Sequence, residues 1–88
     1  METKVIAVTD EDMLMVSPDW TWRGKTGFKV RPSWFYTVDR GVTRLDLSSE
    51  QARTLLIGRL VELVPIEIRD DELICHVRVD DWTFVGSP

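Results

Sequence analysis

The chain turns from a predicted strand into a predicted helix within one segment, Leu45-Asp46-Leu47-Ser48-Ser49-Glu50-Gln51-Ala52-Arg53-Thr54-Leu55. Ser48 is a favourable helix N-cap, and Gln51 three residues later completes a capping box. We expect the helix to run to about Glu62. One apolar stripe should then pack the helix on a sheet. Its members are Ala52, Leu55, Leu56, Leu60 and Leu63.

Before this helix, two segments alternate apolar and polar residues and predict a hairpin, Trp20–Arg23 and Phe28–Arg31. A three-residue loop, Gly24–Thr26, would pair Trp22 with Phe28 and keep the apolar side chains on one face. The opposite face would then carry Thr21, Arg23, Lys29 and Arg31.

Nearer the N-terminus, Lys4–Val8 and Met13–Val16 are typical of strands, and Ser17-Pro18-Asp19 predicts a break after the second. A further hairpin is predicted around Arg40-Gly41. A two-residue loop there would pair Tyr36 with Leu45.

The C-terminal third predicts a meander of three strands, 64–69, 72–79 and 82–85, with turns at Asp70-Asp71 and Asp80-Asp81. Pro65 places the first of these strands near an edge or delays its start. The expected pairs are Ile68 with Leu73, Ile66 with Cys75, Val64 with Val77, and Val79 with Trp82.

These elements together predict an α+β fold, with a single helix packed on a mostly antiparallel, curved sheet or partly open barrel. Eighty-eight residues suffice for one small globular domain. The chain is 43% hydrophobic and 30% charged, which is ordinary for a globular protein.

Charge is distributed unevenly along the sequence. The chain has a net charge of −4. Residues 20–44 contain six basic side chains and one acid, so this segment is +5 and the remainder is −9. Such asymmetry steers charged partners.

No arrangement of residues predicts an enzyme active site. Gly24-Lys25-Thr26 resembles the end of a phosphate-binding loop, but Asp19 occupies the position of its first glycine and a strand follows. Cys75 and His76 are adjacent on a strand, so their side chains should point to opposite faces and Cys75 to the core. A single histidine and a single cysteine predict no metal site, and we expect no cofactor.

Two groups of residues are candidate partner-binding sites. Basic side chains interleaved with tryptophan can engage an acidic protein surface or single-stranded nucleic acid. That group is Arg23, Lys25, Lys29 and Arg31. The second group is Ile57 and Val61, which would lie on the back of the predicted helix, where apolar residues predict a partner or self-association.

The sequence also predicts a compartment. One cysteine permits no internal disulfide, which is typical of a reducing environment. The apolar run near the N-terminus is too short for a signal peptide, and no segment approaches the roughly 20 apolar residues of a spanning helix. We therefore expect a cytoplasmic protein with no membrane partner.

The segment from Leu47 to Ala52 resembles a strand-into-helix unit of small uncharacterised proteins from actinobacteria and their phages. In those proteins a Leu-Ser/Thr-x-Glu-x-Ala core precedes a leucine-rich helix. This chain departs from that pattern at Leu56-Ile57, where small residues are usual. The resemblance covers about residues 45–60. It implies an accessory or phage-encoded protein and assigns no functional residue.

These observations favour a non-enzymatic protein-protein interaction module, which the resemblance extends to a phage-encoded modulator or inhibitor of a host protein. The alternatives are a single-stranded nucleic-acid binder that uses the basic hairpin 20–31, and a structural assembly component that forms homo-oligomers. The acidic remainder of the chain can also imitate DNA. An inhibitor of a DNA-binding host protein is therefore one form of the first hypothesis, the interaction module.

Overall fold

The computed structural model describes residues 1–38 and 41–79. The predicted turn at Asp80-Asp81, the strand 82–85 and the turn residue Arg40 lie outside this part. The described elements are β1 (Glu2–Val8), β2 (Leu14–Trp22), β3 (Lys25–Val38), β4 (Val42–Leu45), α1 (Ser49–Leu56), β5 (Leu60–Arg69) and β6 (Glu72–Arg78).

Five of the strands close into a barrel. The sheet order is β2-β1-β5-β6-β3-β4, and β2 also pairs with β3. Neighbouring strands are antiparallel except for β3 and β6, which are parallel. The predicted α+β class with one helix is confirmed, and the sheet closes around β1, β2, β3, β6 and β5. With α1 between its third and fourth barrel strands, this connectivity is that of the OB-fold, a five-stranded Greek-key barrel.

The barrel interior is filled by alternate residues of the strands, because successive side chains on a strand point to opposite faces. Trp20 is the largest side chain of this core and is 2% exposed. Its indole nitrogen donates a hydrogen bond to the carbonyl oxygen of Lys29 at 2.8 Å, so the buried N–H has a partner. The other fully buried large residues are Val5, Leu14, Val16, Val30, Leu56, Val61, Leu63, Leu73, Val77 and Val79.

The helix begins as predicted and ends early. Ser48 accepts a hydrogen bond from the backbone of Gln51, whose side chain accepts one from the backbone of Ser48, so the capping box is confirmed. The expected end near Glu62 is wrong, because α1 stops at Leu56. Gly58 follows at φ +86°, a conformation that favours glycine, and its N–H donates to the carbonyl oxygen of Val5 at 2.7 Å.

The predicted register of the first hairpin is wrong. The observed pairing of its strands is shifted by an odd number of residues relative to the predicted pairing. Its turn has two residues, Arg23 and Gly24, both at positive φ, as in a type I′ turn. Trp20 therefore lies opposite Gly27. A Cβ atom on Gly27 would lie 2.8 Å from Cζ2 of Trp20, so the indole ring occupies the space that a side chain would need.

The predicted break at residues 17–19 is also wrong, because β2 runs through them. Ser17-Pro18 is a cis peptide bond, and the pairing of β2 with β3 shifts between Met15 and Trp20. The shift keeps the strand in the sheet while its register changes.

The second hairpin is displaced by one residue from its predicted register. Val38 pairs with Val42 and Phe35 with Leu45. Phe35 and Thr37 therefore face the core, whereas Trp34 and Tyr36 face outwards, and Tyr36 pairs with Arg44 where Leu45 was expected.

Between β5 and β6 the predicted pairing holds only near the turn. Ile68 lies opposite Leu73, as expected. The register then shifts between Pro65 and Glu67, so Pro65 lies opposite Cys75 where Ile66 was expected. Ile66 is left exposed by this irregularity.

Candidate interaction surfaces

Three exposed aliphatic residues belong to neighbouring backbone segments on the outside of the barrel, and we call them the β1–β5 face. Ile6 belongs to β1, Ile57 follows α1, and Leu60 begins β5. Their exposed fractions are 51%, 44% and 55%. Isolated exposed aliphatic residues are ordinary, whereas adjacent ones are typical of a contact surface.

Backbone pairing holds the β1–β5 face together. Lys4 pairs with Leu60 across β1 and β5. The N–H of Val5 donates to the carbonyl oxygen of Arg59 at 3.0 Å, and the N–H of Gly58 donates to the carbonyl oxygen of Val5 at 2.7 Å. These bonds bring the turn after α1 alongside Val5, so Ile6, Ile57 and Leu60 belong to segments that are joined by backbone pairing.

The outside of β5 continues this apolar character. Val64 and Ile66 are 39% and 44% exposed. Glu62 lies between Leu60 and Val64, where its carboxylate is 3.8 Å from the guanidinium of Arg78 and 4.0 Å from the N-terminal amine. These ion pairs offset the negative charge of Glu62, the one acidic side chain between the apolar residues Leu60 and Val64.

Of the two apolar residues proposed from sequence, the structure leaves only Ile57 at the surface. Val61 is 2% exposed because it lies in β5, opposite Thr3, and points into the barrel. Its predicted place on the back of a helix is therefore wrong. Sequence reasoning missed Ile6, and it assigned Leu60 to the buried stripe of a helix that ends before reaching it. In the structure, exposed and buried residues alternate at the start of β1, and Ile6 lies on the exposed side.

Two of the four predicted contact cations lie on the barrel wall and are paired. Lys29 Nζ is 3.0 Å from Asp71 Oδ2. Arg31 Nε donates to Glu72 Oε1 at 2.7 Å, and Arg31 Nη2 donates to Glu72 Oε2 at 3.4 Å, so the ion pair is bidentate. The strands β3 and β6 run parallel and place these partners beside each other, 41 and 42 residues apart in sequence.

The ion pairs also determine the protonation behaviour of this wall. The hydrogen bond from Arg31 lowers the pKa of Glu72, and the one from Lys29 lowers the pKa of Asp71. Glu72 in turn raises the pKa of Arg31, with smaller contributions from Glu11 and Asp12. The acidic loop before β2 therefore also contributes negative charge near Arg31.

The other two predicted cations lie at the turn of the same hairpin. The guanidinium carbon of Arg23 is 4.4 Å from the centroid of the Trp22 ring, a cation–π contact. Lys25 is exposed and has no ion pair within the described residues. The four residues therefore divide into a paired set on the wall, Lys29 and Arg31, and an open set at the tip, Arg23 and Lys25.

The adjacent Cys75 and His76 point to opposite faces, as predicted. Cys75 is buried, and burial raises the pKa of its thiol to about 12, so it is not a nucleophile at neutral pH. His76 lies outside the barrel against Trp34, with ring centroids 5.0 Å apart. Within residues 1–38 and 41–79, no three His, Cys, Asp or Glu side chains are grouped to hold a metal ion.

Comparison with known proteins gives no relative: no family model, no curated protein and no solved structure matches the chain. In the part of the chain that the structure describes, no helix has the length and apolar character needed to cross a membrane.

Proposed function

We propose that this chain is a non-enzymatic protein-interaction module that binds another protein through the β1–β5 face. The observation that carries the proposal is that Ile6, Ile57 and Leu60, each about half exposed, belong to backbone segments that pair with one another on the outside of the barrel. Covering such side chains is favourable by roughly 0.8 kcal/mol for each methylene group removed from water.

The rigidity of this face supports the proposal. Its backbone is held by the β1–β5 pairs and by the hydrogen bonds of Val5 with Arg59 and Gly58. A partner would therefore order few main-chain groups on binding, which lowers the entropic cost of association.

The partner we propose is a different protein that presents an apolar patch. A net charge of −4 on each copy opposes self-association. A structural assembly component would instead use this face to form homo-oligomers, and sedimentation of the purified chain distinguishes the two. We propose a cytoplasmic setting, which is supported by the single buried thiol.

The test is affinity capture from a lysate of the organism that encodes the chain, after nuclease treatment, with two matched variants. Leu60→Asp places a charge on the β1–β5 face. Val42→Asp places the same charge on β4, at a residue that is 65% exposed and lies outside this face. We expect wild type and Val42→Asp to retain one stoichiometric protein that Leu60→Asp loses, with equal unfolding midpoints for all three. Retention by Leu60→Asp would overturn the proposal.

A second candidate is single-stranded nucleic-acid binding, which the connectivity of the barrel favours. OB barrels bind oligonucleotides on the face of strands 2 and 3, flanked by the loops that join strands 1–2 and 4–5. In this chain those loops carry Asp10-Glu11-Asp12 and Asp70-Asp71, and Lys29 and Arg31 are already paired. A polyanion would meet net negative charge there, so we rank this function second.

Titration with single-stranded oligothymidine at low salt tests the second candidate by tryptophan fluorescence, because Trp22 lies at the hairpin tip. The ranking predicts no saturable change. A saturable change that Arg23→Ala weakens and added salt abolishes would reverse the order of the two candidates.

A further inference from the structure

A cleft of about 690 Å³ opens where β3 changes its neighbour. β2 pairs with β3 as far as Val30, and β4 pairs with β3 from Phe35 onwards. Between these points, Arg31, Pro32 and Trp34 pair only with β6, on the other edge of β3. The start of α1 and the end of β1 complete the walls of the cleft.

The cleft has an apolar floor and a polar rim. The floor is built from side chains of the core and its border: Val8, Leu14, Phe35, Leu45, Leu47 and Ala52. The rim contains Asp12, Ser33, Arg44, Asp46 and Ser48. A concave apolar site of this volume with a few polar groups is typical of ligand pockets.

The rim has more negative than positive charge. Arg44 is engaged twice, since its Nε is 3.6 Å from Asp46 Oδ1 and its guanidinium carbon is 5.3 Å from the centroid of the Trp34 ring. Asp12 has no ion pair within the described residues. An anionic ligand would therefore meet repulsion from Asp12.

Hydrogen bonds hold the turn that contains Asp12. Asp12 lies at φ 65°, and its N–H donates to the carbonyl oxygen of Thr9 at 3.2 Å. The hydroxyl of Thr9 accepts hydrogen bonds from the N–H groups of Glu11 and Met13, which brace the same turn. The carboxylate of Asp12 thus belongs to a hydrogen-bonded turn beside the apolar floor of the cleft.

We infer that this cleft binds a lysine or arginine side chain of a partner protein. The methylene stem of such a side chain covers apolar surface while its charged head remains at the rim, where Asp12 accepts it. The outer edge of β4 is unpaired in the described sheet and ends beside the cleft at Arg44 and Leu45, so an extended partner segment has an approach along it. This site lies at the start of α1, whereas Ile57 of the β1–β5 face lies at its end, and it does not depend on the proposed function.

The test uses two blocked pentapeptides, acetyl-Thr-Val-Arg-Val-Thr-amide and the same peptide with Glu in place of Arg, titrated into ¹⁵N-labelled protein. Trp34 is the reporter, because this residue lines the cleft and its buried indole N–H has no hydrogen-bond partner within the described residues. A Trp34→Phe variant assigns that signal. We expect the Arg peptide to shift the Trp34 indole signal and the amide signals of Ser33 and Ser48, and the Glu peptide to leave them unchanged.

Asp12→Asn is the discriminating variant, since asparagine tolerates the same positive φ and the turn should persist. We expect it to weaken the Arg peptide about two- to fivefold, the size of an exposed ion pair. Asp19→Asn, an exposed acid in β2 outside the cleft, should leave the affinity unchanged. Equal binding of the two peptides, or an Asp12→Asn affinity equal to wild type, would overturn the inference.

Discussion

The outer surface that carries Lys29 and Arg31, which we call the β2–β3 wall, and the β1–β5 face both belong to one barrel. They differ in whether contacts within the chain already pair their side chains. On the β2–β3 wall, Lys29 faces Asp71 in the β5–β6 turn, and Arg31 faces Glu72 at the start of the parallel strand β6. On the β1–β5 face, Ile6 and Leu60 remain about half exposed. A surface that is already paired within the chain has little left to offer a partner, whereas an uncovered apolar surface does.

This difference explains why a charge asymmetry along the sequence need not become one on the surface. Residues 20–44 carry a charge of +5 in the sequence. The barrel then brings acidic residues from the β5–β6 turn against them. Apolar residues on an outer face have no such internal compensation, because their side chains point away from the core.

The largest expected effect is a difference in unfolding free energy between a residue of the core, Trp20, and a residue of the β1–β5 face, Leu60. Trp20→Ala should lower the free energy of unfolding by about 3–5 kcal/mol, because it leaves a cavity in the core. Leu60→Ala should change it by no more than about 0.5 kcal/mol, since Leu60 is exposed. Urea denaturation followed by circular dichroism measures both. Equal losses would remove the distinction between the two regions.

A smaller effect should follow from Gly27→Ala. The new Cβ would lie 2.8 Å from Trp20 Cζ2, so the ring or the strand must move, at a cost of about 1–3 kcal/mol. In a Trp20→Phe background the smaller ring leaves room, and the same substitution should cost less. A double-mutant cycle of unfolding free energies measures this coupling, and additive effects would contradict the close approach.

The pH dependence of stability probes the paired wall. The folded state has a lowered pKa at Glu72 and Asp71, so these groups stabilise it at pH values above their ordinary pKa. That contribution is lost as the pH falls through the lowered values of the folded state. We expect Glu72→Gln to reduce the fall in unfolding midpoint between neutral and acidic pH. Asp70→Asn, in the same turn but without an ion pair in the described residues, should follow the wild-type profile.

The smallest effect concerns Cys75, where we expect almost none in the native state. Burial and a pKa of about 12 should protect the thiol from iodoacetamide at neutral pH. Unfolding in guanidinium should expose it to rapid alkylation, measured by mass spectrometry. Rapid alkylation of the native protein would show that the barrel opens readily along β6.

Local signals in the sequence predicted the local structure. The capping box at Ser48 and Gln51 fixed the start of α1, and the two-residue turn fixed the pairing of Ile68 with Leu73. The stretch from Leu60 to Leu63 was ambiguous because its apolar spacing suits both a helix and a strand. In the structure, Gly58 has a positive φ after the helix, and Val61 pairs with Thr3, so this stretch is a strand.

The sites were harder to predict because they depend on contacts distant in sequence. The parallel pairing of β3 with β6 joins residues more than 40 positions apart, and no local pattern marks Lys29 as the partner of Asp71. The hairpin register depends on the Trp20 ring lying over Gly27, which alternation alone does not show. The exposure of Ile57 was predicted, whereas its neighbours Ile6 and Leu60 became visible only with the β1–β5 pairing.

The most direct test of the β1–β5 face as the binding surface is affinity capture with one variant from each region. Ile57→Asp places a charge on the β1–β5 face, and Lys29→Glu reverses a charge on the β2–β3 wall. We predict that Lys29→Glu retains the nuclease-resistant partner of the wild type and that Ile57→Asp loses it. Loss of the partner by Lys29→Glu and its retention by Ile57→Asp would contradict this assignment and place the binding surface on the hairpin.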